Sequence, residues 1–173
     1  MIQFIKTSLA TVIECTNSGV SFTPTRGEDG SSGYDLKACI LERITIYPDE
    51  VVKIPTGIKI WVGSSHILRT HNDEHVLWAG LLMPRSSSKG LILNNTIGLI
   101  DNSYQGEIFC KYRNPTNTPI DIEIGESFIQ LVIIPTWIGK ITEVKEFASS
   151  TERGEGGFGS TNKEWRGNVK YRR

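Results

Sequence analysis

Residues 127–134 read Ser-Phe-Ile-Gln-Leu-Val-Ile-Ile, a run of apolar and β-branched residues interrupted by a single amide, Gln130. A short apolar run of this kind is typical of a buried β-strand. Ile124-Gly-Glu, just before it, contains the glycine that a tight turn favours. The segment therefore predicts a strand that runs through the core of the protein.

Similar strand patterns lie elsewhere in the chain, with turn residues between them, at residues 40–46, 51–60, 107–112 and 141–147. Short strands at this spacing predict an all-β fold, a sandwich, jelly roll or barrel. We expect at most one short helix, near residues 71–82 or just after Arg85. The strand rhythm breaks at about residues 62–78, which we interpret as an inserted loop.

The composition fits one globular domain, residues 1–150, followed by a flexible tail, residues 151–173. The 19 basic and 19 acidic residues cancel, so no global charge attracts nucleic acid or membranes. The three cysteines show no Cys-x-x-Cys spacing, which favours reduced thiols inside a cell. No apolar run is long enough to span a membrane. We expect a cytoplasmic protein, or also a nuclear one in a eukaryotic cell.

The tail contains Arg153-Gly-Glu-Gly-Gly-Phe-Gly-Ser-Thr161, in which glycines surround a guanidinium, an aromatic ring and two hydroxyls. Arginine and bare amides bind phosphate oxygens, and a phenylalanine ring can stack on a base. The spacing also matches a dinucleotide-binding fingerprint, but no strand–helix context follows it, so that interpretation is rejected. A plain disordered tail remains the alternative from composition alone.

Four internal segments differ from the strand pattern: Ser32-Gly-Tyr-Asp-Leu36, Pro84-Arg-Ser-Ser87, Gly98–Glu107 and Gly125–Leu131. Each also has a purely structural interpretation. Asp35 can cap a turn, Arg85 can pair with an acid, and Gly98–Glu107 reads as a hairpin. Gln130 can satisfy a buried backbone group.

Together with the tail, and in this order, the four segments resemble the five motifs of the homotrimeric deoxyuridine triphosphatases (dUTPases). The resemblance covers most of the chain, from Ser32 to Thr161. It implies a jelly-roll-like homotrimer whose active sites are shared between subunits, with the tail closing over a neighbour's site. The implied reaction is hydrolysis of dUTP to dUMP and pyrophosphate with Mg²⁺.

The resemblance also assigns catalytic roles. Asp101 is the base that activates the attacking water, and Arg85 lies on the phosphate chain. Gln130 orders a water molecule near the phosphates. Mg²⁺ is held mainly by the substrate's phosphates, and Asp35 supports it indirectly, through water.

Substrate contacts follow in the same way. Main-chain groups read uracil, Tyr104 packs on the deoxyribose, and Phe158 stacks on the base, while serines and tail residues hold the phosphates. The full set of substrate-binding residues that the resemblance implies is Arg85, Ser86, Ser87, Asn95, Gly98, Leu99, Ile100, Asp101, Tyr104, Phe109, Arg153, Phe158, Gly159 and Ser160.

One departure from the family pattern stands out. The fourth motif of the family usually contains Arg-Ile-Ala-Gln, whereas this chain has Ser127-Phe-Ile-Gln130, so the arginine is missing. We expect this change to alter a subunit contact more than the activity.

Three alternatives remain. His71 and His75 would share one face of a helix, as metal ligands can. The dCTP deaminases have a similar fold and similar motifs, but they lack the glycine-rich tail segment. The third is a regulatory binding function, in which the nucleotide pocket controls contact with a protein partner through residues 62–78 or the basic end of the tail.

Overall fold

The computed structural model describes residues 2–17, 19–62, 68–69 and 75–155. The chain divides into two compact units, residues 1–139 and residues 140–173. All helices and strands of the described residues belong to the first unit. In the second unit, the described residues 140–155 contain turns but no helix or strand.

One short helix, α1 (Ser8–Thr16), occurs among the described residues. The strands are β1 (Gln3–Lys6), β2 (Gly33–Lys37), β3 (Ile44–Ile46), β4 (Val51–Trp61), β5 (Leu68–Arg69), β6 (His75–Pro84), β7 (Ile92–Leu93), β8 (Gly98–Ile100), β9 (Glu107–Arg113), β10 (Ile120–Ile122) and β11 (Ser127–Trp137).

The strands form three antiparallel sheets. Their orders are β1-β4-β9-β7, β10-β3 and β2-β11-β6-β5, and β8 pairs with β6. Over the described residues the sheets do not close into a barrel, and the arrangement is of the sandwich, jelly-roll-like class. The prediction of an all-β fold is thereby confirmed.

Strand β11, which begins at Ser127, is central to its sheet. It pairs with β2 on one side and with β6 on the other. Gln130 consequently lies opposite Asp35 on β2 and opposite Met83 on β6. The prediction of a core strand at residues 127–134 is confirmed, because Ile129 and Leu131 are fully buried.

Aromatic and polar contacts in the core join the sheets. The rings of Tyr112 and Phe128 meet edge to face with centroids 5.9 Å apart, and the Tyr112 hydroxyl donates to the Phe128 carbonyl at 2.9 Å. The buried Asn114 amide donates to the carbonyls of Ile46 and Thr118, each at 2.8 Å. Buried polar groups are thus paired, as a dry core requires.

The predicted position of the helix is wrong. Residues 75–84 form β6, and turns follow Arg85. The apolar run Val76-Leu-Trp-Ala-Gly-Leu-Leu82 has no helical period, and pairing with β11 and β8 settles it as a strand. The helix lies instead at Ser8–Thr16, where the Thr7 side chain caps the Ala10 amide at 3.3 Å and Ile13 packs into the core.

Two further predictions are corrected. Residues 98–107 are not a hairpin, because β8 pairs with β6 whereas β9 pairs with β4 and β7. The segment instead crosses from one sheet to another. Residues 141–147 form no strand in this chain.

The predicted inserted loop lies partly outside the described residues, which omit 63–67 and 70–74. Its last residues, 75–78, belong to β6, whose start pairs with β5. Across the described part of the chain, no helix is long and apolar enough to cross a bilayer.

Candidate active site

Arg85 follows β6 directly and forms a two-pronged ion pair with Asp35 of β2. Nε lies 2.8 Å from Oδ1, and Nη2 lies 2.8 Å from Oδ2. Nη1 donates to the Ser127 carbonyl at 2.7 Å and to the Ser87 hydroxyl at 3.3 Å. These contacts engage all but one N–H group of the guanidinium. Arg85 therefore ties together three of the segments that the sequence analysis selected.

The contact at Ser127, where the family pattern has arginine, is made by the main chain and not by the serine side chain. Arg85 uses the main-chain carbonyl of this residue, which any side chain would leave in place. The substitution therefore preserves the link between Arg85 and β11.

Gln130 is held beside the ion pair. Its Nε2 donates to the Pro84 carbonyl at 2.9 Å. Gly33 makes room for the side chain, because a Cβ atom at that position would lie 2.4 Å from Oε1 of Gln130. Gln130 is partly exposed, so it faces a cleft and is not sealed in the core.

A cleft of about 400 Å³, here called the Arg85 cleft, brings Asp35, Arg85, Ser86 and Gln130 together. Ser31 and Ser32 line the same cleft. Sequence reasoning missed Ser31, although its position in a glycine- and serine-rich turn before β2 was a usable signal. Hydroxyls beside a guanidinium suit a ligand rich in oxyanions.

A second cleft of about 300 Å³, here called the Tyr104 cleft, contains Leu99, Ile100, Asp101, Tyr104 and Phe109. It forms where the chain leaves β8 and crosses to β9. The Tyr104 amide donates to the Asp101 carbonyl at 3.0 Å and closes a turn, which presents the Asp101 carboxylate at the surface.

Tyr104 is held at the hydroxyl end of its side chain. Its hydroxyl donates to the Glu107 carbonyl at 2.7 Å. Gly106 leaves room for this end of the ring, since a Cβ atom there would be 2.5 Å from the Tyr104 hydroxyl oxygen. The tyrosine is thus placed before any ligand arrives.

Lys53 also lines the Tyr104 cleft, and sequence reasoning missed it. Its Nζ lies 3.8 Å from the centre of the Phe109 ring. The usable signal was strand alternation, because Lys53 is two residues from Pro55, which is the partner of Phe109 across the sheet.

The two clefts have no lining residue in common. Within one chain, the predicted base, Asp101, and the predicted phosphate ligand, Arg85, therefore lie in different clefts. Two other predicted residues precede the Tyr104 cleft residue Leu99 in the chain. Asn95 lies in a turn, where its carbonyl accepts from the Ile97 amide at 2.6 Å. Gly98 is buried at the start of β8.

The predicted tail residues Phe158, Gly159 and Ser160 lie outside the described residues, whereas Arg153 lies in a turn of the second unit. Of the predicted histidine pair, His71 is also outside them. The described residues contain no cluster of three or more His, Cys, Asp or Glu side chains that could hold a metal ion.

The buried thiols are unsuited to nucleophilic chemistry. Burial raises the pKa of Cys39 to about 11 and that of Cys110 to about 12. A thiol must ionise to act as a nucleophile, so both stay inert near neutral pH.

Comparisons with known proteins match one family. A family model described as dUTPase matches residues 21–162. The deoxyuridine 5'-triphosphate nucleotidohydrolase of Hydrogenovibrio crunogenus is 40% identical over 141 residues, which are 80% of this chain and 85% of that protein. The protein of the same name from Haemophilus influenzae is 38% identical over 144 residues, with 82% and 87% covered.

Among solved structures, the dUTPase of Staphylococcus bacteriophage 80alpha with dUpNHpp matches with a TM-score of 0.71 at 25% identity. The match covers 92% of this chain and 97% of the phage chain.

Proposed function

The chain belongs to the dUTPase family, and from this premise we propose that it is a Mg²⁺-dependent homotrimer that hydrolyses dUTP to dUMP and pyrophosphate. The observation that carries the proposal is the Tyr104 cleft, where Asp101, Tyr104 and the main chain of β8 converge.

Uracil selectivity follows from the position of β8. Within the described residues, β8 pairs with β6 on one edge and has no strand on the other. In an antiparallel strand, alternate residues direct both N–H and C=O to the same side. Leu99 or Ile100 thus presents a donor and an acceptor to a ligand. This pair complements the N3–H and a ring carbonyl of uracil, and it mismatches the amino group and N3 of cytosine.

Asp101 performs the base chemistry in this proposal. Its carboxylate follows the end of β8 at the edge of the Tyr104 cleft. A water molecule held there loses its proton to the carboxylate as its oxygen attacks the α-phosphorus. The bond between the α-phosphorus and the oxygen that bridges to the β-phosphorus breaks, and that oxygen leaves as part of pyrophosphate. Tyr104 packs against the deoxyribose and leaves no space for a 2′-hydroxyl, so dUTP is favoured over UTP.

The Arg85 cleft receives the phosphate chain. The remaining N–H of Arg85 and the Ser86 hydroxyl donate to phosphate oxygens, while Gln130 holds a water molecule nearby. Because Arg85 is already fixed by Asp35 and Ser127, its charge needs no reorganisation when the substrate binds.

The described residues fit a metal ion that is carried mainly by the phosphates of the substrate. Both carboxylate oxygens of Asp35 already accept hydrogen bonds from Arg85, so Asp35 suits contact through water. Bound to the phosphates, Mg²⁺ screens their charge and polarises the P–O bonds.

One feature supports sites that are shared between copies of the chain. The Arg85 and Tyr104 clefts of one chain have no residue in common, so a complete site is built when one copy's Arg85 cleft meets another copy's Tyr104 cleft. The tail then closes over a neighbour's site, with Phe158 on uracil and Arg153, Gly159 and Ser160 on the phosphates.

In the cell, this activity would limit uracil incorporation into DNA and supply dUMP for thymidylate synthesis. A cytoplasmic location, or also a nuclear one in a eukaryotic cell, is part of the proposal. A further protein partner at residues 62–78 or the basic tail stays a prediction.

The test is to incubate the purified protein with Mg²⁺ and each of dUTP, dCTP, dTTP and UTP, and to measure pyrophosphate and ammonia. We expect pyrophosphate from dUTP alone. Ammonia from dCTP would instead indicate a deaminase. Absence of turnover on every nucleotide would favour a binding protein.

A further inference from the structure

Lys53 is the one cationic side chain among the described residues that line the Tyr104 cleft. It lies on β4, next to β9, which carries Phe109. Pro55 is the direct cross-strand partner of Phe109, so Lys53 is its diagonal neighbour on the same face, within reach of a long side chain.

The contact between the two side chains is a cation–π contact. Nζ of Lys53 lies 3.8 Å from the Phe109 ring centre, well within the range at which the ring face attracts a cation. Asp101 and Glu107 line the same cleft, yet neither forms an ion pair with Lys53 in the described part of the chain. The ammonium is therefore directed at the ring.

Phe109 needs such a restraint. The residue is 37% exposed at the edge of the cleft, and other staggered rotamers are open to a side chain that is not packed on all sides. Holding the ring in one position before binding removes an entropic cost that the ligand would otherwise meet.

We propose that Lys53 is a positioning residue for substrate binding, whose ammonium holds the Phe109 ring as a wall of the Tyr104 cleft against the nucleoside. This inference rests on the proposed function. The wall contacts the nucleoside, whereas the bond that breaks is in the phosphate chain. Lys53 consequently controls KM and ligand affinity, and kcat does not depend on it.

The experiment compares Lys53→Met, Lys53→Arg, Phe109→Leu and the double variant Lys53→Met/Phe109→Leu. Methionine keeps the length and apolar packing of the stem but removes the charge, while arginine keeps a cation over the ring. Lys111→Met is the matched control, because Lys111 is the exposed cross-strand partner of Lys53 and does not line the cleft. The readouts are KM and kcat for dUTP and the Kd for dUpNHpp.

Lys53→Met should raise KM and Kd by about two- to fivefold, with kcat unchanged. This is the change in affinity that corresponds to the loss of one exposed cation–π contact. Lys53→Arg and Lys111→Met should behave like the wild type. In the Phe109→Leu background, Lys53→Met should have no further effect, since the ring on which it acts is gone.

The inference is overturned if Lys53→Met leaves KM and Kd unchanged, or if it lowers kcat. It is also overturned if the full effect persists without Phe109, because Lys53 would then donate directly to the ligand. The Kd measurement requires no turnover. A wild-type protein that binds dUpNHpp but hydrolyses nothing would therefore contradict the proposed function and still give a result for Lys53.

Discussion

The guanidinium of Arg85 and the carboxylate of Asp35 form a two-pronged ion pair, with both N–O distances at 2.8 Å. The two residues are 50 positions apart in the chain, and pairing of β11 with both β2 and β6 brings them together. The pair sets the orientation of the Arg85 guanidinium, and in the proposed function it thereby sets the direction in which Arg85 would meet a phosphate. The first prediction below depends on this geometry.

Replacing Asp35 by asparagine should misplace Arg85. Where a carboxylate oxygen now accepts a hydrogen bond from the guanidinium, the amide would place an N–H group against a guanidinium N–H. We expect kcat/KM for dUTP to fall by about 10- to 100-fold, as misplacement near the chemistry does. Steady-state kinetics measures the effect. Asp49→Asn is the control, since it disrupts an exposed ion pair with Arg113 at a positive φ that asparagine tolerates. Equal losses in both variants would refute the role of the Asp35–Arg85 pair.

Replacing Asp101 by asparagine should remove the base and retain the shape of the cleft. We expect kcat to fall by about 10²- to 10⁴-fold, while the Kd for dUpNHpp stays close to that of the wild type. Isothermal titration calorimetry and pyrophosphate release measure the two quantities. Asp29→Asn, in an exposed loop, is the control for a lost carboxylate. A comparable loss of binding in Asp101→Asn would argue against its assignment as the base.

Replacing Gly106 by alanine should displace Tyr104, because the new Cβ atom would lie 2.5 Å from the tyrosine hydroxyl oxygen. The hydroxyl then loses its bond to the Glu107 carbonyl. We expect the ratio of kcat/KM for dUTP to that for UTP to fall by about tenfold, a loss of about 1.4 kcal/mol of discrimination. Gly30→Ala is the control, since no atom lies within 4 Å of its added Cβ. An unchanged ratio would exclude Tyr104 as the residue that rejects the 2′-hydroxyl.

Ending the chain before Arg153 should leave the trimer intact and remove most of the activity, because the predicted lid is lost. Ending it after Thr161 should preserve both. Analytical ultracentrifugation gives the oligomeric state, and pyrophosphate release gives the rate. If the shorter chain keeps full turnover, the tail is not a lid.

The free energy of unfolding should fall as the solution becomes alkaline. Burial raises the pKa of Cys39 to about 11 and of Cys110 to about 12, above the ordinary value of 9.0, and it also raises the pKa of Tyr112. The unfolded chain therefore releases protons that the folded chain keeps. The stabilisation is fully present below pH 9 and is lost as the pH rises toward 11–12.

Urea unfolding between about pH 8 and about pH 11 measures this loss of unfolding free energy. Each titrating group can contribute at most about 1.4 kcal/mol per pH unit to it. Cys110→Ala should flatten the profile. Cys15→Ala should not, because Cys15 is exposed. A flat profile in the wild type would contradict the prediction.

The sequence predicted those features whose signals are local. The run at residues 127–134 carries its strand pattern within eight residues, and β11 forms there. The apolar segment at residues 76–82 has no local pattern that separates a strand from a helix, and its assignment as a helix was wrong. The turn residues after Gly98 also suit a hairpin, and nothing local revealed that β8 and β9 join different sheets.

By itself, the sequence determined the all-β class, the order of the five motifs and the chemical groups available at the site. Only the tertiary structure decided that Arg85 pairs with Asp35, that Lys53 lies over Phe109, and that Arg85 and Asp101 line separate clefts. The reason is physical. Turn preferences and strand patterns depend on residues that are neighbours in the sequence. These contacts depend instead on the hydrogen-bonded register between strands that are distant along the chain.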